Sequence, residues 1–407
     1  MSTLLADTGC PAETACRAER DACAPVAVEW WDSTRRAEAI AVWFALEQQL
    51  GGLPVMCSAD WTDAWLRHYG SIVSHRFAVG RVAGRIVGVI LLTRGVEDHD
   101  GWFASRAWHL GTAGEPDADS VCIEYNALAC EPAYRDAFFD EVIRQLQTEP
   151  DWDELCCDGF AVHDLPEVSD ASTGWMQDRR MAWWTNLERV RESGRELVQF
   201  FGISTRRHIR QNLRDYGTVT VEQPQSFADA HAFFDEMVDL HQARWTQDGQ
   251  PGCYASRAFT ALHRELIDRM VGDGRTLLLR VRANNVTLGC TQFFIDRGRA
   301  LNYQGGRLTN SGRLSPGLIT DYCCMQFCLE RGYSAYDFMA GDSQHKQRLS
   351  TDTTPLSWRV CRRPRLKFTI MNQLRKCKQL IAALSSHESV PVAVDQVPKS
   401  SPQAEGA

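Results

Sequence analysis

The chain has 407 residues, a length that suits about two domains. Its composition, 44% hydrophobic and 24% charged, excludes a wholly disordered chain and is typical of folded proteins. The net charge of -8 at pH 7 excludes a global attraction to nucleic acid, and the 15 cysteines lack the paired CxxC spacing of a structural zinc site. We therefore expect no metal, and we expect free cysteines in the reducing cytoplasm.

The two ends of the chain differ in composition from its middle. Residues 1–26 are rich in Ala, Thr and Cys, and they lack the basic-then-apolar order of a secretory signal. We interpret them as a mobile leader. Residues 371–407 are expected to hold a terminal helix and a disordered tail rich in Ser, Pro and Gln. No run of about 18 apolar residues predicts a transmembrane helix.

The first half of the middle, residues 27–185, is expected to form one domain. Its elements follow from helical or alternating hydrophobic spacing and from a turn at Ala83-Gly84. In chain order they are a helix at 60–69, a hairpin at 76–95, a strand at 120–130, a helix at 133–148 and a strand at 153–160.

The second half, residues 186–370, repeats that order after one additional helix. The predicted elements are helices at 226–245 and 256–274, a hairpin at 275–298 turning at Asn284-Asn285, a strand at 299–306, a helix at 318–331 and a strand at 334–341. A unit of this size written twice indicates a domain duplication. The predicted class is mixed α/β (α+β), with a mixed, mostly antiparallel sheet and flanking helices in each half.

The loop that opens helix 318–331 is the most informative segment. Helix starts present unpaired N–H groups and a positive dipole end, so they bind phosphate well. Ser315 is placed to cap this helix, with Pro316 in its first turn. A plain capped helix start is the alternative interpretation. The candidate phosphate-binding residues are Arg307, Arg313, Ser315 and Gly317.

Polar residues follow the strand at 334–341, at the end where sites of α/β folds gather. Lys346 is a candidate to stabilise a developing oxyanion. Asp337, Asp342 or His345 is a candidate to take a proton from an attacking amine. For each of them an ordinary solvated side chain is the alternative.

Residues 190–365 resemble the CelD-like family of GNAT acyltransferases, which is associated with cellulose and other exopolysaccharide biosynthesis. The resemblance rests on RRHIRQNLRDYG (206–217), LHQARWTQDGQPG (240–252), SPG (315–317), GYSAYDFMAGD (332–342) and Lys346. It implies two GNAT folds in tandem, as in the Fem-type aminoacyltransferases. It also implies acyl transfer from acyl-CoA, with acetyl the expected group, to an amine of a small molecule or sugar precursor.

The same resemblance implies a cleft where two parallel strands separate, with Tyr303 near the reacting groups. The spacing of Arg307, Gly312 and Gly317 departs from the usual GNAT pyrophosphate loop, which leaves room for another carrier. His241, Arg244 and Trp245 are candidates to line the acceptor cleft, and ordinary packing is their alternative.

A basic segment, residues 359–378, admits three interpretations: a docked amphipathic helix, a peripheral membrane contact, or an RNA-binding surface. Two alternative functions stay open beside N-acyl transfer. One is a Fem-like aminoacyltransferase that uses charged tRNA, although nucleic acid is otherwise not expected. The other is a non-catalytic GNAT-fold protein. The acceptor, the pathway and the oligomeric state do not follow from the sequence.

Overall fold

The computed structural model describes residues 25–95, 98–100, 103–162, 164–166, 174–309, 312, 314–370 and 373. The described residues up to Arg363 form one compact unit around a 13-stranded mixed sheet with flanking helices. The predicted mixed α/β class is confirmed. A separate short unit begins at Pro364, in which residues 366–370 are helical. In the described part, none of the helices is long and apolar enough to cross a bilayer.

The strands of the compact unit are β1 (Ala27–Asp32), β2 (Ser74–Val82), β3 (Arg85–Arg94), β4 (Asp98–Asp100), β5 (Phe103–Ser105), β6 (Ala107–Leu110), β7 (Ala129–Cys130), β8 (Glu154–Ala161), β9 (Gly174–Asn186), β10 (Val219–Glu222), β11 (Thr276–Ala283), β12 (Val286–Asp296), β13 (Arg299–Arg307), β14 (Ala335–Ala340) and β15 (Asp352–Arg362). The α-helices are α1 (Arg36–Gln49), α2 (Ala59–Tyr69), α3 (Arg135–Thr148), α4 (Leu187–Ser193), α5 (Ile203–Tyr216), α6 (Phe227–Gln247), α7 (Arg257–Met270), α8 (Pro316–Glu330) and α9 (Gln344–Arg348).

The two halves repeat one order of elements, although in the first half the strand expected at 120–130 is replaced in this order by β6 (Ala107–Leu110). The first half runs α2, the β2–β3 hairpin, β6, α3 and β8, and the second runs α7, the β11–β12 hairpin, β13, α8 and β14. In each half a strand before the last helix pairs in parallel with the strand after it, β6 with β8 and β13 with β14. Both hairpins carry a register shift at the matching step, after Gly80 and after Val281.

The two hairpin turns lie where the sequence predicts them. Ala83 and Gly84 have φ of 48° and 80°, and Asn284 and Asn285 have φ of 50° and 65°. Two successive left-handed residues make the tight turn that matches the twist of paired strands, and Gly and Asn tolerate that conformation best.

A glycine at the equivalent place in each hairpin has a different neighbour. A Cβ on Gly88 would lie 2.6 Å from the ring of Phe138, so this glycine makes room for α3. A Cβ on Gly289 would lie 2.8 Å from Cδ of Arg307 and 2.8 Å from Oγ1 of Thr320. The second half therefore uses the same space for an arginine instead of a phenylalanine.

The main sheet crosses both halves without a break. From edge to edge its strands are β1, β2, β3, β6, β8, β15, β9, β14, β13, β12, β11 and β10, and β7 pairs with β3. Strand β9 ends the first half of the sequence but pairs with β14 of the second, while β15 ends the second half and pairs with β8 of the first. The halves have exchanged their last strands, and the boundary at 185/186 stays a prediction.

One hydrophobic core also joins the halves. It contains aromatic residues from both, and the rings of Trp61 and Phe294 meet edge to face at 5.1 Å. On its rim, Arg269 of α7 binds Asp63 of α2 at 2.7 Å. Two further cores lie under α3 in the first half and under α8 in the second.

Two expectations about secondary structure are wrong. Of the strand expected at 120–130, only Ala129–Cys130 forms one, because Cys122 and Tyr125 have positive φ (50° and 54°) and interrupt the extended chain. The basic segment 359–378 begins in strand β15 instead of a helix, because Arg359 to Arg362 pair with both β8 and β9. Most of the expected leader (1–24) and of the expected tail (371–407) lies outside the described residues.

Candidate active site

Strands β13 and β14 separate near the middle of the second half. They pair in parallel only from Arg299 with Ala335 to Leu301 with Asp337. Where β13 pairs with β12, it has one extra residue: Tyr303 lies between Asn302 and Gln304, which pair with the consecutive residues Phe293 and Gln292. Beyond this point, residues 302–304 and 338–340 line a cleft of ≈ 400 Å³, the central cleft.

A larger opening of ≈ 860 Å³, the helix-start cleft, lies where β13 runs into α8. The first turns of α5 and α8 both border it. Its ionisable lining residues are three arginines (Arg244, Arg307 and Arg348), two aspartates (Asp248 and Asp321) and two histidines (His208 and His345). Cations outnumber carboxylates in this lining, so the cleft favours an anionic ligand.

The two clefts share three lining residues, Asp321, Ser343 and His345. The opening therefore continues from the first turn of α8 to Lys346, which lines the central cleft. A ligand bound at the helix start can extend into the space between the parted strands.

The first turn of α8 differs from its prediction in one respect. Pro316 occupies the first turn as expected, but the Ser315 side chain makes no capping hydrogen bond. The prediction of a Ser315 cap is wrong. Instead, Asn212 of α5 contacts this helix start, and its Oδ1 accepts a hydrogen bond from the Ser315 N–H at 2.7 Å. Gly317 and Leu318 lie in the first turn, where N–H groups have no acceptor inside the helix, and both residues line the helix-start cleft.

A buried carboxylate, Asp321, organises the wall between the two clefts. Its Oδ1 accepts hydrogen bonds from Arg307 (2.9 Å), Tyr336 (2.8 Å) and Asn302 (3.2 Å). Its Oδ2 lies 2.6 Å from Nε2 of His345. Asp321 thereby holds the predicted phosphate-binding Arg307 and the predicted candidate His345 in the same wall.

The charge of Asp321 is stabilised by these partners. Burial alone would raise its pKa, but the Arg307 charge and the hydrogen bonds from His345 and Tyr336 outweigh burial and hold the pKa well below the usual range. Asp321 is therefore ionised at neutral pH and forms a buried ion pair with Arg307.

Lys346 and Glu124 bring opposite charges to the central cleft. The Lys346 Nζ donates to the Ala340 carbonyl at 2.5 Å, and burial lowers the pKa of this half-buried lysine. Glu124 comes from the first half of the chain, and its Oε2 accepts the Ala340 N–H at 2.7 Å. Burial raises the Glu124 pKa to about 7, although the Ala340 hydrogen bond and the Lys346 charge counteract it.

Tyr303 and Asp337, two predicted catalytic residues, are tied to the surrounding protein. The Tyr303 hydroxyl donates to the Val121 carbonyl, and burial raises its pKa far above the ordinary value. Asp337 is fully buried and accepts from the Tyr125 hydroxyl (2.6 Å) and from the Arg299 guanidinium. Through Val121 and Tyr125, the first half of the protein therefore holds both side chains in place.

The other predicted site residues are dispersed. Asp342 is exposed and lies outside the linings of both clefts, and Arg313 lies outside the described residues. His241 is buried against Tyr254, with ring centroids 5.0 Å apart, and burial lowers its pKa. Arg244 lines the helix-start cleft, and Trp245 remains 41% exposed.

Two residues of this site were missed in the sequence. Asp321 is the one charged residue in the apolar run Leu318–Leu329, and Glu124 is the one charged residue in Val121–Cys130. A lone carboxylate among buried residues signals a paired or functional group, because an unpaired buried charge is costly.

The second-half segment that supplies most of the lining of both clefts matches a known family. Residues 204–347 match the family model described as an acetyltransferase (GNAT) domain. The second half therefore holds a GNAT-type acetyltransferase domain, and the chain is an acyltransferase. Among curated proteins, none matches the sequence.

Several solved structures are similar at low identity. FemX is 12% identical with a TM-score of 0.48, over 79% of this chain and 95% of that one. A tandem GNAT protein from the clavulanic acid biosynthesis pathway is 13% identical with a TM-score of 0.41, over 82% and 98% of the two chains. The C-terminal domain of a putative lysylphosphatidylglycerol synthetase from Agrobacterium fabrum is 10% identical with a TM-score of 0.48, over 80% and 91%. At these scores the similarities transfer no activity to this chain.

Proposed function

We propose that this protein transfers an acyl group, with acetyl the expected one, from acyl-CoA to an amino group of a small molecule or sugar precursor. The observation that carries the proposal is the continuous opening from the first turn of α8 to Lys346. The helix-start cleft suits phosphates. The central cleft places the Glu124 carboxyl group and the Lys346 ammonium group beside the space between β13 and β14, where the reacting groups would meet.

The donor phosphates would bind in the helix-start cleft. The first-turn N–H groups of Gly317 and Leu318 and the positive end of α8 would provide the hydrogen bonds and the dipole. Arg307 and Arg244 add positive charge from β13 and α6. In this proposal Arg244 serves the donor instead of the acceptor. The pantetheine arm would run between residues 302–304 and 338–340.

The reaction needs no protein nucleophile. The amine nitrogen attacks the thioester carbonyl, the nitrogen loses a proton, and the C–S bond breaks to release the CoA thiol and an amide. Lys346 would stabilise the negative oxygen of the tetrahedral intermediate. Glu124 would accept the proton of the attacking nitrogen, because its pKa near 7 suits a base at neutral pH.

The remaining predicted catalytic residues fit other roles. Tyr303 and Asp337 would act as positioning residues, because their polar groups are bound to neighbouring protein. Asp342 fits proton transfer less well than Glu124, because it lies outside the lining of the central cleft.

The test is release of free thiol from acetyl-CoA by the purified protein with a panel of amines. Lys346→Met and Glu124→Gln should each lower kcat by about 100-fold or more, with the KM for acetyl-CoA little changed. Gln347→Ala, an exposed change on the same helix as Lys346, is the matched control and should be neutral.

The pH profile gives a second readout. Glu124 must be ionised to accept a proton, so kcat/KM should rise as pH increases through about 7, and Glu124→Gln should remove that step. Wild-type rates in both variants would contradict the roles assigned to them. Failure of every acyl-CoA to bind or react would contradict the proposed donor.

A larger donor is the second candidate, favoured by the exposed arginines of α5. Arg207, Arg210 and Arg214 are exposed on this helix, whose first turn borders the helix-start cleft. Acyl transfer that RNase abolishes would identify charged tRNA as the donor, and RNase-resistant transfer would favour acyl-CoA. Assignment to the CelD-like family likewise stays a proposal.

A further inference from the structure

The first half contains a cleft of its own at the place equivalent to the central cleft. Strands β6 and β8 pair in parallel from Ala107 with Glu154 to His109 with Cys156. A cleft of ≈ 560 Å³, the first-half cleft, lies against these strands and the segment from Ala113 to Glu124.

The first-half cleft opens into the central cleft. Ser120, Cys122 and Glu124 line both of them. Three openings therefore follow one another, from the helix-start cleft through the central cleft to the first-half cleft. A molecule in the first-half cleft can reach the space in front of Lys346 without crossing the path of a ligand bound at α8.

The two outer clefts have opposite charge. The first-half cleft is lined by five carboxylates and two basic groups: Glu115, Asp117, Glu124, Glu154 and Asp158, with His109 and Arg180. Arg362 binds Glu154, and His109 lies 3.0 Å from Asp158. Within the described residues no basic group lies within ion-pair distance of Glu115, Asp117 or Glu124, so this cleft favours a cation.

Glu115 is the carboxylate of this cleft that is best placed to bind a cationic ligand group. Its Oε1 accepts the Val121 N–H at 2.6 Å. Its Oε2 is buried and has no hydrogen-bond partner among the described residues. A buried carboxylate oxygen without a donor is costly, so a ligand ammonium at this place would gain a strong hydrogen bond. Burial raises the pKa of Glu115 to about 7.

The contrast between the two halves supports the same conclusion. In the second half, the space beside the hairpin glycine holds Arg307, which lines the helix-start cleft. In the first half the equivalent space holds Phe138, and within the described residues the first-half cleft is lined by no α-helix start and only by the acidic 3-10 turn at Asp117–Asp119. The duplicated clefts have therefore diverged, one toward an anion and the other toward a cation.

We infer that the first-half cleft binds the acceptor and selects one with two amino groups. One amine reaches the central cleft and is acylated, while the second, charged amine binds among Glu115 and Asp117. The acceptor class is then a diamine, a polyamine or a diamino sugar. This inference rests on the proposed function for the reaction itself, but binding of the cation does not require turnover.

The first experiment is calorimetry of 1,4-diaminobutane and of n-butylamine with the full chain, without donor. We expect the diamine to bind at least tenfold more tightly than the monoamine. Glu115→Gln, which keeps an oxygen for the Val121 N–H, and Asp117→Asn should each weaken diamine binding at least fivefold. Asp136→Asn, an exposed change on α3, should have no effect. Equal binding of the two amines, or no diamine binding, would overturn the inference.

Turnover separates this inference from the proposed function. With acetyl-CoA, Glu115→Gln should raise the KM for the diamine while leaving the KM for acetyl-CoA and for n-butylamine unchanged. Thiol release with an acceptor preference that the two variants do not alter would refute the cleft but keep the acyltransferase. Tight, Glu115-dependent diamine binding without any thiol release would keep the cleft and refute the acyl-CoA reaction. Melting curves of both variants exclude a trivial loss of fold.

Discussion

Replacing Asp321 with asparagine removes the buried charge that organises the wall between the helix-start and central clefts. Asparagine keeps an oxygen for the hydrogen bonds from Arg307, Tyr336 and Asn302, but it removes the counter-charge of the mostly buried Arg307 guanidinium. Breaking a buried ion pair on one side costs about 3–5 kcal/mol, and the retained hydrogen bonds favour the lower value.

This cost converts to a measurable shift. With about 2 cal/mol/K per residue, the compact unit up to residue 363 has an unfolding entropy of about 0.7 kcal/mol/K. A loss of about 3 kcal/mol then lowers the melting temperature by roughly 4 °C. Glu330→Gln is the matched control, because Glu330 is exposed on the same helix and accepts a hydrogen bond from the Gln326 amide.

The pH dependence has a defined sign. The pKa of Asp321 is lowered in the folded protein, so its contribution is present above the ordinary Asp value and is lost as pH falls toward the lowered one. The difference between wild type and Asp321→Asn should persist from pH 8 to pH 5 and narrow below about pH 4. Equal melting temperatures at pH 7 would refute this account of the wall.

Three further changes test other parts of the structure. Glu124→Gln should be more stable than wild type at pH 8 by up to about 3 kcal/mol. The pKa of Glu124 is raised to about 7 in the folded protein, so ionisation of this carboxyl group destabilises the wild-type fold as pH increases. Equal melting curves of the two proteins from pH 6 to pH 8 would contradict the raised pKa. Gly306→Ala should lower the melting temperature by several degrees, since its Cβ would lie 2.2 Å from a backbone carbonyl of α6, while Gly202→Ala, which meets no atom within 4 Å, should be nearly neutral. Gly289→Ala should displace Arg307 and weaken acyl-CoA binding in calorimetry, and unchanged affinity would argue against a role of Arg307 in binding the donor.

Local signals were sufficient to predict much of the fold. The two hairpin turns depend on Ala83-Gly84 and Asn284-Asn285, and the start of α8 depends on Pro316, so neighbouring residues decide these features. The repeated order of elements follows from the same local patterns. The exchange of β9 and β15 between the halves depends on pairing between residues far apart in sequence, such as Leu356 with Ala161 and Ala335 with Asn186, and no local pattern reports it.

The site was predicted only where a motif marked it. Arg307, Gly317, His345 and Lys346 line the joined clefts, and they lie in the stretch 307–346 that the sequence analysis singled out. Glu124 was missed because it belongs to the other half, and only the folded chain brings its carboxylate to Ala340.

The most direct test is a crystal structure of the protein with bound acetyl-CoA or a non-hydrolysable analogue. We predict the pyrophosphate at the N–H groups of Gly317 and Leu318, and the thioester between residues 302–304 and 338–340, beside Lys346. A donor bound elsewhere on the protein, or saturating CoA with the first turn of α8 unoccupied, would contradict the proposed donor site.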